Sequence, residues 1–144
     1  MNVLKTIVSV SVIAIASANA AQAEKLTLYC SAQEDWCQLM ANTFADATGI
    51  NVAMTRKSSG ETFAQIKAES SNPKGDVWWG GTGDPHLQAA EEGLTASYVS
   101  PMRDQLHPWA ISQAVSANNK TIGIYSGALG YGYNTDLLAA NSLP

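Results

Sequence analysis

Apolar and polar side chains alternate from Lys25 to Cys30, with Leu26, Leu28 and Cys30 set against Thr27 and Tyr29. A period of two predicts a first β-strand. The period then changes. Trp36, Leu39, Met40, Thr43, Phe44 and Ala47 recur at helical spacing and predict an amphipathic helix. Ser31, with Glu34 three residues on, reads as a capping box that opens this helix, and Gly49 as its stop. Ile50 to Thr55 predicts a second strand. Ser58-Ser59-Gly60-Glu61 is a second capping box, before a helix carrying Phe63, Ile66 and Lys67 towards Ser70. After the Pro73-Lys74-Gly75 turn, Asp76 to Trp79 predicts a short buried strand running into Gly80-Gly81-Thr82-Gly83. Asp84 is expected to cap a third helix with Pro85 in its first position, and Gly93 to end it.

Strand and helix alternating three times predict an α/β fold with a parallel, doubly wound sheet. The stretch from Ser100 to Asn119, broken by Pro101 and Pro108, fits no single period. Thr121 to Tyr125 and Leu129 to Tyr133 read as two further strands around Ser126-Gly127, and Asn134-Thr135 as the cap of a last short helix.

The first residues carry a different signal. Lys5 precedes an uncharged apolar run from Ile7 to Ala18, which is followed by Ala18-Asn19-Ala20 and Ala21-Gln22-Ala23. A charged start, a short apolar stretch and a small-x-small site describe a secretory signal peptide over residues 1–23, with cleavage expected after Ala23. The run is shorter than the ~20 apolar residues of a spanning helix. The mature domain is then expected over 24–144, as an exported protein. Loss of Lys5 leaves seven basic side chains against twelve acidic ones. That balance offers no electrostatic footprint for nucleic acid or for an anionic membrane surface. In an oxidising compartment Cys30 and Cys37, seven residues apart, are expected to form a structural disulfide; the Cys-x-x-Cys spacing of redox pairs is absent.

Ligands of open α/β sheets bind outside the carboxyl ends of the strands. Three turns made of small residues fall there: Ser31-Ala32, Ser58-Ser59-Gly60 and Gly80-Gly81-Thr82-Gly83. Each delivers a helix N-terminus, whose unpaired N–H groups favour an oxyanion. Ser31, Ala32, Gln33, Ser58, Ser59, Gly60, Gly81 and Thr82 are therefore candidate ligand-binding residues. Serine and glycine are also ordinary helix caps, so the argument rests on their repetition along one edge.

Leu28-Tyr29, Phe44 to Asn51, Ile66 to Glu69, Asp76 to Trp79 with its glycine loop, Gly132 to Leu138 and Leu143-Pro144 follow one another in a specific order and spacing. In these stretches the chain resembles the ferric-iron-type periplasmic binding proteins, the type 2 solute receptors of ABC importers. The resemblance implies two α/β lobes around a ligand cleft. This chain supplies the first lobe and a first hinge crossing near 126–133, so it looks truncated. Ser126 and Gly127, where the crossing starts, join the candidate ligand residues. The implied partners are a small-molecule or iron-containing ligand and a membrane permease, with the receptor a monomer that needs no cofactor. Ferric-binding members use a histidine at the start of the first helix and a glutamate after the third strand. Those positions hold Gln33 and Gly81 here, and the paired tyrosines of such members would lie past Pro144. Coordination of bare ferric ion is thus not expected, and an oxyanion, or iron held with one, is.

A secreted hydrolase is the rival class, drawing on Ser59 or Ser126 with His86 or His107 and Asp84 or Asp104. No Gly-x-Ser-x-Gly elbow, His-Glu-x-x-His, Walker loop or dinucleotide fingerprint supports it, and an enzyme is not expected. His86 belongs to no established metal motif. Trp78 and Trp79, adjacent on a strand, must face opposite ways, so at most one can line a cleft. Tyr125 and Tyr131 divide between core and ligand roles in the same way.

Overall fold

The computed structural model describes residues 25–128, 130 and 132–137. The leader read over residues 1–23 lies outside them. Strand β1 (Lys25–Cys30) is central, with β2 (Asn51–Arg56) and β3 (Val77–Trp79) on either side, and both pairings are parallel. Leu28 lies opposite Met54 and Val77, and Cys30 opposite Arg56 and Trp79, so the three strands end together at one edge. Between them run α1 (Glu34–Thr48) and α2 (Ser59–Ala68), followed by α3 (Gly83–Glu91), a 3-10 turn (Arg103–Gln105) and α4 (Pro108–Ser116).

The period-two pattern of β1 divides the molecule. Leu28, Cys30 and Ala32 pack with Cys37 and Ala41 of α1, with Leu26, Val52, Met54 and Trp79 against them. On the opposite face Tyr29 donates to the Glu69 carboxylate at 2.8 Å, and Trp78 meets His86 of α3. Helices therefore cover both faces, as a doubly wound sheet requires. Lys67 Nζ bridges to Glu92 at 2.8 Å, linking the ends of α2 and α3. Cys30 and Cys37 are disulfide-bonded and fully buried, tying the end of β1 to the first turns of α1.

Several local expectations need correction. Ser31 does not cap α1. The cap position is Gln33, without a side-chain hydrogen bond, because the Ser31 hydroxyl is engaged by Trp78 and Thr62. The second box is real: Ser58 Oγ accepts from the Glu61 N–H, and the Glu61 carboxylate accepts from the Ser58 N–H at 3.0 Å. Helix α3 starts two residues early, with Thr82 at its cap and Asp84 and Pro85 inside the first turn. Proline is tolerated there because the first amides of a helix have no internal partner. Pro108 opens α4 rather than breaking it, for the same reason. β3 is not buried: Val77 is 42% exposed, because β3 is an edge of the sheet among the described residues. The apolar stripe of α1 is likewise half open, with Cys37 and Ala41 buried but Trp36, Leu39, Met40 and Phe44 exposed. Thr121 to Tyr125 forms no strand. This segment packs on α4, where Gly123 leaves room for the Trp109 ring, and does not reach the free edge of β3 to complete a ladder. The described residues of Leu129 to Tyr133 form no strand either, and 135–137 make only a turn, with Asp136 N–H on the Asn134 side chain.

Candidate functional site

Because β1, β2 and β3 end in register, the turns that follow them meet. Gly80 and Gly81 both have positive φ, 77° and 97°, a conformation that side chains with a Cβ rarely adopt. The need for glycine at 81 is also steric. A Cβ there would collide with Ser59 Oγ and stand 2.8 Å from Ser31 Cβ and 3.3 Å from the Ser31 carbonyl oxygen. At position 80 a Cβ would lie 2.9 Å from Ala32 Cβ. Three turns distant in sequence are thus pressed together through small residues.

Hydrogen bonds fix the arrangement. The Thr82 N–H donates to Ser59 Oγ at 3.0 Å, joining the third turn to the start of α2. The indole N–H of Trp78 donates to Ser31 Oγ at 2.9 Å, and Ser31 shares a second bond of 3.1 Å with buried Thr62. Arg56 Nε donates to the Ala32 carbonyl at 2.8 Å, while its guanidinium stands 3.8 Å from Glu34. Arg56 therefore also holds the first turn in place. Tyr125, from beyond α4, accepts from the Gly81 N–H at 2.6 Å and donates back to the Gly81 carbonyl at 3.2 Å.

Of the residues singled out by sequence, Ser31, Ala32, Ser59, Gly81 and Thr82 come together. Ser58 is consumed in capping α2, and Gly60 sits on the open first turn of that helix with nothing within 4 Å of its Cβ direction. Gln33 is exposed at the α1 cap. Ser126 is exposed, and so is Gly127, with no neighbour within 4 Å of its Cβ direction; the side chain that reaches the turns from this segment is Tyr125. Of the two tryptophans and two tyrosines divided between core and ligand roles, Trp78 and Tyr125 are the ones that reach these turns, and Arg56 joins them without having been singled out. The position of Arg56 at the carboxyl end of β2 was readable, whereas the long-range reach of Tyr125 was not.

Trp79 faces the α1 side and Trp78 the site, as strand alternation requires. His86 stacks on Trp78, with centroids 3.6 Å apart and planes at 22°, and its Nε2–H donates to the Gly80 carbonyl at 2.9 Å. Burial pushes the imidazole below the ordinary histidine value, outweighing the opposite pull of the Gly80 bond. His86 is thus a neutral prop under the glycine turn. Its stability contribution is fully present above the ordinary value of 6.5 and is lost as pH falls from there towards the depressed folded value, because the unfolded chain takes up a proton that the folded site resists. Melting temperature should therefore drop between pH 7.5 and pH 5.5, and His86→Phe, which keeps the stack, should flatten that drop. Glu61, Glu69 and Glu92 are all held below their ordinary 4.5 by hydrogen bonds, so their losses fall at more acid pH.

The described residues thus form an α/β lobe that gathers helix starts, hydroxyls and backbone amides at the carboxyl edge of its sheet. Residues 26–122 match the model of the bacterial extracellular solute-binding proteins, and the chain belongs to that family. It is 39% identical over 115 residues, 80% of its length, to an uncharacterized protein of Haemophilus influenzae, of which it covers 33%. Among solved structures, the periplasmic binding protein P5PA matches 67% of this chain at 35% identity and a TM-score of 0.63, over 31% of its own length. AfuA of Actinobacillus pleuropneumoniae, solved with fructose-6-phosphate bound, matches 59% of this chain at 46% identity and a TM-score of 0.58, over 27% of its own length. The chain spans about a third of the length of these relatives. The fold expected from the resemblance, a first lobe of the type 2 solute-binding proteins, is the fold found. Among the described residues no helix is long and apolar enough to cross a membrane.

Proposed function

We propose that the full-length protein is the periplasmic receptor of an ABC importer, exported by the leader over residues 1–23, and that it captures a small oxyanion such as a phosphorylated compound. The carrying observation is the Gly80-Gly81-Thr82 turn, whose Thr82 amide meets Ser59 at the start of α2, whose Gly81 amide meets the Tyr125 hydroxyl, and which packs closely on Ser31 of the turn after β1. N–H groups at helix starts favour negative charge and repel a cation. AfuA, with its bound sugar phosphate, supports the same ligand class. Bare ferric ion needs anionic oxygen ligands, and Gln33 and Gly81 supply none. The residues from 126 onward would carry the chain towards a second lobe, with a membrane permease as the receiving partner.

The test uses full-length protein purified from the periplasm, whose N-terminus at Glu24 checks the export half of the reading. Calorimetric titration with ferric iron alone, then with phosphate esters, phosphonates and carboxylates, should give binding only with the oxyanions. Ser59→Asp should weaken that binding by roughly tenfold or more, since a carboxylate would face the anion where a hydroxyl now stands. Tight binding of ferric iron without an anion, insensitive to Ser59→Asp, would overturn the reading.

A further inference from the structure

We propose that Tyr125 is a built-in competitor for the ligand: its hydroxyl takes the Gly81 amide that a ligand oxygen would take on binding. The inference rests on the oxyanion reading above and adds a rival for one of its amides. One residue, Gly81, satisfies both capacities of the phenol, its N–H donating at 2.6 Å and its carbonyl accepting at 3.2 Å. No hydrogen of that hydroxyl is left to point at a ligand. Ser59 differs, because its oxygen accepts from Thr82 and its own O–H is not consumed in that bond. Ser59 is therefore placed to help a ligand, and Tyr125 to be displaced by one.

The surroundings fit displacement. Tyr125 is 40% exposed, so the phenol can leave without opening a core. Its ring meets Trp36 edge-on at 5.8 Å and Trp79 at 6.5 Å, contacts of an aromatic rim. The turn it latches is held from the other side by His86 on the Gly80 carbonyl, so the amide stays aimed at the same point after the phenol leaves. An anionic oxygen makes a stronger bond to that N–H than a neutral phenol oxygen, which provides the driving force for the exchange. A site closed by its own hydroxyl reduces apparent affinity by the fraction of molecules in which the amide is free.

That arithmetic gives a distinctive test. Full-length wild type and Tyr125→Phe are titrated with fructose 6-phosphate and with inorganic phosphate, and their melting temperatures are compared without ligand. Removing the latch removes a competitor and no ligand contact, so both affinities should tighten by the same factor, roughly five- to thirtyfold for the two exposed hydrogen bonds the phenol makes. In wild type, ligand should also change tryptophan fluorescence as the phenol leaves Trp36, and this change should shrink in Tyr125→Phe. Weaker binding, unchanged binding, or unequal changes for the two probes would overturn the proposal while leaving the oxyanion reading intact. Failure of wild type to bind either probe would remove the reading and the proposal together.

Discussion

Gly81→Val is expected to abolish ligand binding, with a loss of affinity of about a hundredfold or more. Two effects combine. The backbone at 81 sits at φ 97°, where a β-branched residue is strongly disfavoured. Its Cβ would also strike Ser59 Oγ and crowd Ser31, so the turns after β1, β2 and β3 could no longer meet. Losing the charge-assisted hydrogen bonds proposed from the Gly81 N–H and the Ser59 hydroxyl, at about 1.5–3 kcal/mol each, accounts for the loss. The control is Gly49→Ala, at the end of α1 and the opposite edge of the sheet. Its φ is 74° and nothing lies within 4 Å of its Cβ direction, so it carries backbone strain without crowding. Gly49→Ala should cost about 1–2 kcal/mol of stability and leave affinity unchanged. Calorimetry beside thermal melting separates the two, and near-normal binding by Gly81→Val would show that the turn is no part of the site.

Removal of the Cys30–Cys37 disulfide should give the largest loss of stability of any pair of substitutions named here. Closing so short a loop restricts the unfolded chain by about 2–3 kcal/mol on the entropy model. Both sulfurs are fully buried in the cluster that joins β1 to α1, so truncation also removes packing. The double variant Cys30→Ala/Cys37→Ala of the full-length protein should shift its denaturation midpoint accordingly, and reduction of the wild type should shift it in the same direction. Affinity should fall as well, because Ser31 and Ala32 follow Cys30 directly and their turn is set by the bridge. A midpoint unmoved by both treatments would contradict this account.

The alternation in β1, the helical spacing in α1 and the box Ser58–Glu61 were sufficient to give element order, parallel pairing and the edge at which the strand-end turns meet. These are local signals, set by periodicity and by side chains that bond within three residues. The α1 cap was misread because Ser31 obeys a bond from Trp78, 47 positions away, and not its helical neighbour. Extended character in Thr121 to Tyr125 predicts a strand, but a strand exists only where a partner's N–H and C=O groups lie alongside, and among the described residues none pairs with this segment. The disulfide was legible from spacing and compartment, and Gly81 from its place after a strand. That Gly81 must be glycine for space as well as for φ was not legible, since it depends on Ser31 and Ser59 arriving from two other turns. The amino-acid sequence determined which groups are available: hydroxyls, small residues and helix-start amides on one edge. Only the tertiary structure decided which of those amides are free and which are held by Tyr125 or Ser59, because a hydrogen bond between residues 44 positions apart leaves no periodic trace in the chain.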